Sequence, residues 1–131
     1  MAKKSSCYAG RRTEGAVAEE KRLELTVKKF LKDKGCYYIK YWGGGQFTRS
    51  GVPDLLVSVN GYFLGVELKA THGRPSPLQL YHMKLIVESG GVGILLYPRN
   101  LAHFKMFIMD ILDGHKPSDL IRKDEYAILL W

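Results

Sequence analysis

Two strand-like runs, DLLVSV over 54–59 and YFLGVELK over 62–69, are separated only by Asn60-Gly61. That pair suits the positive φ angles of a type I′ turn, whose twist matches the strands it joins. A tight hairpin is therefore expected, and a two-residue turn also fixes its register. Val59 faces Tyr62, and all paired residue numbers sum to 121. Asp54 and Glu67 obey that sum, so an unbulged hairpin sets them opposite each other with Cβ atoms about 4.5–5.5 Å apart. Like charges so placed destabilise a sheet unless a cation lies between them or one carboxyl is protonated. A hard, oxygen-seeking ion such as Mg2+ suits the pair best.

Side chains alternate along a strand, so Lys69, two residues beyond Glu67, projects on the same side as both carboxylates. Beside a metal ion acting as Lewis acid, an ammonium can position or deprotonate a water, or balance charge building on phosphate oxygens. The Leu68 carbonyl adds a possible oxygen ligand. These are the parts of a phosphodiester-hydrolysing site. Taken singly they mean less: an Asp after Pro53 is often a turn residue, and Glu67 with Lys69 is compatible with a solvated strand face. The shared register favours the site.

Around the hairpin the pattern is mixed. Leu23, Val27, Phe30 and Leu31 are spaced for one face of a helix from about Ala16 to Lys34, which Gly35 ends. CYYIKYW reads as a strand and GGGQFTRSG as a loop. A helix follows from Ser76 to about Glu88, then a buried strand VGILLYP and a helix from Leu101 to about Leu112. Beyond Lys116 a short helix near Leu120 and a last strand YAILLW are expected. The order αβββαβ describes an α/β chain with a mixed central sheet flanked by helices. At 131 residues it is long enough for one core, read as a single domain over 15–131 behind a basic tail, 1–14.

The net charge of +7 points to a polyanionic partner, since surface Lys and Arg displace the counterions condensed on nucleic acid. Ten of the 20 basic residues precede Gly35, against five acidic ones. A solvated helix face behind a loose tail accounts for part of that excess. No apolar run is long enough to span a membrane, and the first residues lack a secretion signal, so a cytosolic protein is expected. Cys7 and Cys36 read as reduced thiols, Cys36 buried, and no zinc spacing is present.

Val52-Pro53-Asp54, twelve residues, then Glu67-Leu68-Lys69 resembles the PD(D/E)xK nuclease superfamily. The surrounding text, GVPDLLVSVNGYFLGVELKATHGRPSPLQ, is similar to the VRR-NUC (virus-type replication-repair nuclease) family, common as stand-alone proteins in phages. The resemblance runs from about Leu23 to Pro98. It implies a restriction-endonuclease-like core with the site on one sheet edge, Mg2+ dependence with Mn2+ able to substitute, and often homodimers cutting branched DNA such as Holliday junctions. It places the protein in the host cytoplasm if phage-encoded.

The family also carries an acidic residue on its first helix, for which Glu19, Glu20 and Glu24 compete. Glu24 lies closest to the inward face and is preferred as a catalytic residue and possible metal ligand; a surface pair with Lys28 is its plain alternative. A family glutamine is matched by Gln79. Ser76-Pro77-Leu78-Gln79 equally reads as a capping box, so Gln79 has two candidate roles, expected at different moments. Met83 replaces the tyrosine of the QxxxY pattern of a related branch.

Lys40, Arg49 and Arg74 flank the site in sequence as candidate DNA contacts, or as solvated cations. Tyr41 and Trp42 are assigned to the core, while Phe47 is a candidate for base stacking. His72 is near the site in sequence, whereas His82, His103 and His115 are scattered. The expected activity is metal-dependent DNA cleavage by Asp54, Glu67, Lys69, Gln79 and Glu24. A non-catalytic nucleic-acid-binding protein on the same fold is the alternative.

Overall fold

The computed structural model describes residues 13–43 and 49–126. Residues 127–131 of the strand expected over 126–131, Cys7, Phe47 and most of the basic tail lie outside these residues. Helix α1 (Glu14–Asp33) starts slightly earlier than periodicity suggests, because Thr13 is its N-cap and accepts from the Ala16 N–H. Its end is a Schellman motif: Gly35 takes φ +78°, its N–H reaching the Lys32 carbonyl and that of Cys36 the Leu31 carbonyl. Leu23, Val27 and Leu31 are buried, as the spacing requires, and so is Cys36.

Strands β1 (Tyr37–Lys40), β2 (Leu55–Val59), β3 (Tyr62–Leu68) and β4 (Val92–Leu96) form one sheet in the order β1-β2-β3-β4. The first three are antiparallel, and β4 joins β3 in parallel through helix α2 (Pro77–Glu88). The hairpin register is the expected one, Val59 against Tyr62 and Leu55 against Val66, with Asn60 at φ 50° and Gly61 at φ 86°. A 3₁₀ turn over Pro98–Asn100 leads into α3 (Leu101–Leu112), followed by the short α4 (Pro117–Leu120). No described helix is long and apolar enough to cross a membrane.

Alternation divides the sheet. Leu55, Val57, Val59, Leu64, Val66, Leu68, Ile94 and Leu96 share one core with α1 and with Phe104, Phe107, Ile108 and Ile111 of α3. Helix α2 covers the opposite face over β3 and β4, where side chains are missing: a Cβ on Gly65 would lie 2.5 Å from Ile86 Cδ1, and one on Gly93 3.0 Å from Met83 Sδ.

Two assignments need correction. Trp42 is 69% exposed rather than core, because β1 stops at Lys40 and the chain leaves the sheet; its ring lies 5.5 Å from Lys40 Nζ, and Tyr41 is half-buried. Tyr126 belongs to a 3₁₀ turn rather than a strand, with its ring against Phe107 and its hydroxyl donating to Asp110 (2.6 Å).

The segment leading into β2 is held by close approach. Gly51 takes φ +85°, and a Cβ there would lie 2.8 Å from the Leu78 carbonyl oxygen. Gly51→Ala is expected to lower unfolding free energy by roughly 2–3 kcal/mol, from backbone strain plus overpacking. Urea denaturation checks it, and an unchanged midpoint would contradict the close approach.

Candidate active site

Asp54 stands just before β2, where Pro53 has no N–H to give and the ladder needs another partner. Its backbone carbonyl accepts from the Tyr41 N–H (2.8 Å), and its Oδ2 accepts from the Leu68 N–H (2.8 Å). The side chain thus closes the end of the β2–β3 pairing, which fixes where its free oxygen points. Oδ1 lies 3.6 Å from Lys40 Nζ.

Glu67, near the end of β3, is 3% exposed. Gln79 Nε2 donates to its Oε2 (2.8 Å), and Lys69 Nζ is 3.4 Å from the same atom. Its Oε1 is buried without a hydrogen-bond partner. Burial first, and the charge of Asp54 second, push the Glu67 carboxyl up to about 8 despite the opposing pull of Lys69. Burial and the neighbouring Asp54 thus favour the protonated form of Glu67, in the direction expected for two carboxyls brought together by the hairpin.

Lys69 extends the parallel pairing through its N–H to the Leu96 carbonyl (2.9 Å) and sends its buried Nζ to Gln79 Oε1 (2.9 Å). Gln79 also completes the capping box, its Oε1 accepting from the Ser76 N–H (2.8 Å). The capping role is present, and the same amide that caps the helix start ties Lys69 to Glu67.

Glu24 is buried on the inner side of α1 and close to the site, but as the centre of a lysine cluster. Lys40 Nζ lies 3.0 Å from its Oε1 and Lys28 Nζ 3.1 Å from its Oε2. Burial raises its carboxyl, and the bonds from Lys40 and Lys28 outweigh that and hold it below the ordinary range. Lys40 stands between Glu24 and Asp54, so Glu24 joins the site through a cation. Among the described residues no three His, Cys, Asp or Glu side chains group to hold a metal. Glu24 lines the same cleft as Asp54 and Glu67, with Lys40 as its partner on the side of Asp54.

These groups line a cleft of about 1210 Å³ at the end of the two central strands, rather than on an edge strand, between the starts of α1 and α2. Lys40, Trp42, His72 and Arg74 line it too; Arg49 does not, being exposed with its N–H on the Tyr41 hydroxyl (2.7 Å). One contact had no local signal. Glu19, in the first turns of α1, accepts from the N–H (2.8 Å) and hydroxyl of Thr71, which hold its carboxyl below the usual range. It ties α1 to the loop after β3.

A solved structure described as a VRR_NUC domain matches with probability 1.00 and a TM-score of 0.53 at 22% identity, over 75% of this chain and 98% of that one. This chain has the VRR_NUC fold. The match spans nearly the whole of that domain and three quarters of this chain. No protein-family model matches the sequence, and no curated protein is significantly similar to it.

The donor set of the VRR_NUC cleft fits a hard divalent ion. Glu67 Oε1 lacks a partner where burial makes that costly, the Asp54 carboxyl is close enough to raise that of Glu67, and both offer oxygen only. Two carboxylates suffice for Mg2+, which keeps several of its waters.

Proposed function

We propose that the chain is a nuclease of the VRR-NUC family that hydrolyses DNA phosphodiester bonds in a reaction dependent on Mg2+, with Mn2+ able to substitute. The observation that carries this reading is the unpartnered, buried Oε1 of Glu67 beside Asp54 and the Lys69 ammonium. Asp54 and Glu67, with the Leu68 carbonyl, hold the ion. When bound, it supplies Lewis acidity toward the phosphate and lowers the pKa of a water.

The remaining roles belong to the chain itself. Gln79 anchors Lys69 Nζ, so the ammonium is positioned to orient the attacking water or offset charge on the phosphate oxygens. Gln79 Nε2 holds Glu67 Oε2, which leaves Oε1 as the oxygen that would serve a bound ion. Glu24 sets the position of Lys40, whose ammonium, with Arg74, meets the DNA backbone. No protein nucleophile is required. The substrate is branched DNA, and cutting both strands of a junction uses two copies of the chain, each with one site.

The test is cleavage of labelled duplex, single-strand, flap and four-way-junction DNA in Mg2+, Mn2+ or EDTA. Cutting in both metals and none in EDTA is expected, with the branched substrates cut fastest. Binding of these DNAs without cutting in either metal overturns the enzyme in favour of a non-catalytic DNA-binding protein.

A further inference from the structure

Next to the cleft lies a second cavity, of about 550 Å³, made by the loop after β3 and the chain leaving β4. Its lining includes His72, Gly73, Arg74, Tyr97 and Arg99, and no acidic residue. His72, Gly73, Arg74 and Pro75 line both spaces, so the two share a wall.

The loop is pinned at several points. Tyr97 Oη donates to the Gly73 carbonyl (2.9 Å), Arg99 Nη1 to the Thr71 carbonyl (3.2 Å), and the Gly73 N–H to the Ala70 carbonyl (2.8 Å). Glu19 holds Thr71 from the far side. The Arg99 guanidinium lies 4.2 Å from the Tyr97 ring centroid, which orients its plane while one nitrogen serves Thr71. Among the described residues no carboxylate pairs with Arg74 or Arg99. The Arg99 guanidinium, oriented by Tyr97 and Thr71, and the exposed Arg74 on the same lining offer donors, without a paired carboxylate, to an anion with several acceptor oxygens.

We infer that this cavity is a phosphate subsite, in which Arg99 and Arg74 bind the phosphate of a nucleotide flanking the one at the Asp54–Glu67 site. The inference rests on the proposed DNA substrate, though not on its cleavage. The cavity has room for a phosphate with part of its sugar, and the shared wall lets one strand pass from the cleft into it. Arg99 is thus a binding residue contributed by the connection after β4, remote in sequence from the catalytic hairpin.

The test measures binding in EDTA, where nothing is cut, for the wild type, Arg99→Ala, Arg99→Lys and Arg74→Ala. The probes are oligonucleotides in which each phosphate in turn is a neutral methylphosphonate, and others ending in 5′-phosphate, 3′-phosphate or hydroxyl. Arg99→Ala is expected to weaken binding about tenfold and to lower the salt slope by about one, with Arg99→Lys partly restoring both. At one phosphate position neutralisation should cost the wild type a similar factor and cost Arg99→Ala nothing more.

An internal position identifies a diester as the ligand, and a dependence on one terminal phosphate identifies a monoester. Because Arg99 also holds Thr71, melting temperatures are compared; the scan on wild type tests the subsite even if Arg99→Ala is unstable. Losses that add to Arg99→Ala at every position, the absence of any sensitive position in the wild type, or no binding of any oligonucleotide overturn the inference. A wild type that cuts DNA while Arg99→Ala binds unchanged sinks the subsite alone. A scan signature without cutting in Mg2+ sinks only the nuclease.

Discussion

Lys69→Ala is expected to lower single-turnover DNA cleavage at saturating Mg2+ by on the order of 10²–10³-fold, while DNA affinity changes by no more than about threefold. The separation follows from where the ammonium lies. Its Nζ is buried, 2.9 Å from Gln79 Oε1 and 3.4 Å from Glu67 Oε2, within the cleft and away from the exposed basic surface. A charge in that position contributes little to holding a long polyanion. It contributes most where negative charge develops, in surroundings that screen it poorly. Folding should survive, because Gln79 Nε2 still satisfies Glu67 Oε2 and the backbone bond of residue 69 to Leu96 does not need the side chain. Cleavage within about threefold of wild type would remove Lys69 from the reaction, and a parallel loss of affinity would recast it as a DNA contact.

What could be read from the amino acids alone follows from the range of the forces involved. Asn60-Gly61 sets a turn type, the turn sets a register, and strand alternation then places Asp54, Glu67 and Lys69 together; each step is local and stereochemical. The capping box at Ser76 is similarly local. The partners of Glu24 are only half local. Its bond to Lys28 is an ordinary i+4 helix pair, whereas Lys40 reaches it from the next strand. Glu19 and Thr71 meet only because α1 crosses the end of β3, and no periodicity encodes that. Trp42 follows a β-rich run and reads as core by composition; its exposure depends on where β1 loses its partner, which is a property of the pairing rather than of the tryptophan. Residue types and spacing thus bring the candidate groups together, while the arrangement of charges around them required the packed helices.

Glu67→Gln is expected to make the metal-free protein more stable and the enzyme inactive, with the gain growing as pH rises. The folded Glu67 carboxyl titrates near 8, against an ordinary value of 4.5. Between these values the folded chain holds a proton that the unfolded chain has released, so unfolding releases a proton and stability falls as pH increases. The stability associated with this proton is full below about 4.5 and is lost as pH rises through about 8. A glutamine keeps the shape without the charge, can still accept from Gln79 and Lys69, and can turn an N–H toward Asp54 where Oε1 has no partner. Metal-free wild type and variant should therefore differ little near pH 4 and by on the order of a few kcal/mol at pH 9. Mg2+ should raise the wild-type melting temperature at pH 8 and leave the variant nearly unmoved, since an ion bound only to the folded state stabilises it by mass action. Thermal melts across pH, with and without Mg2+, decide the matter. A variant that melts at or below wild type at pH 9 without metal would show that the Glu67 charge is already compensated, and the case for a divalent ion between it and Asp54 would lose its basis.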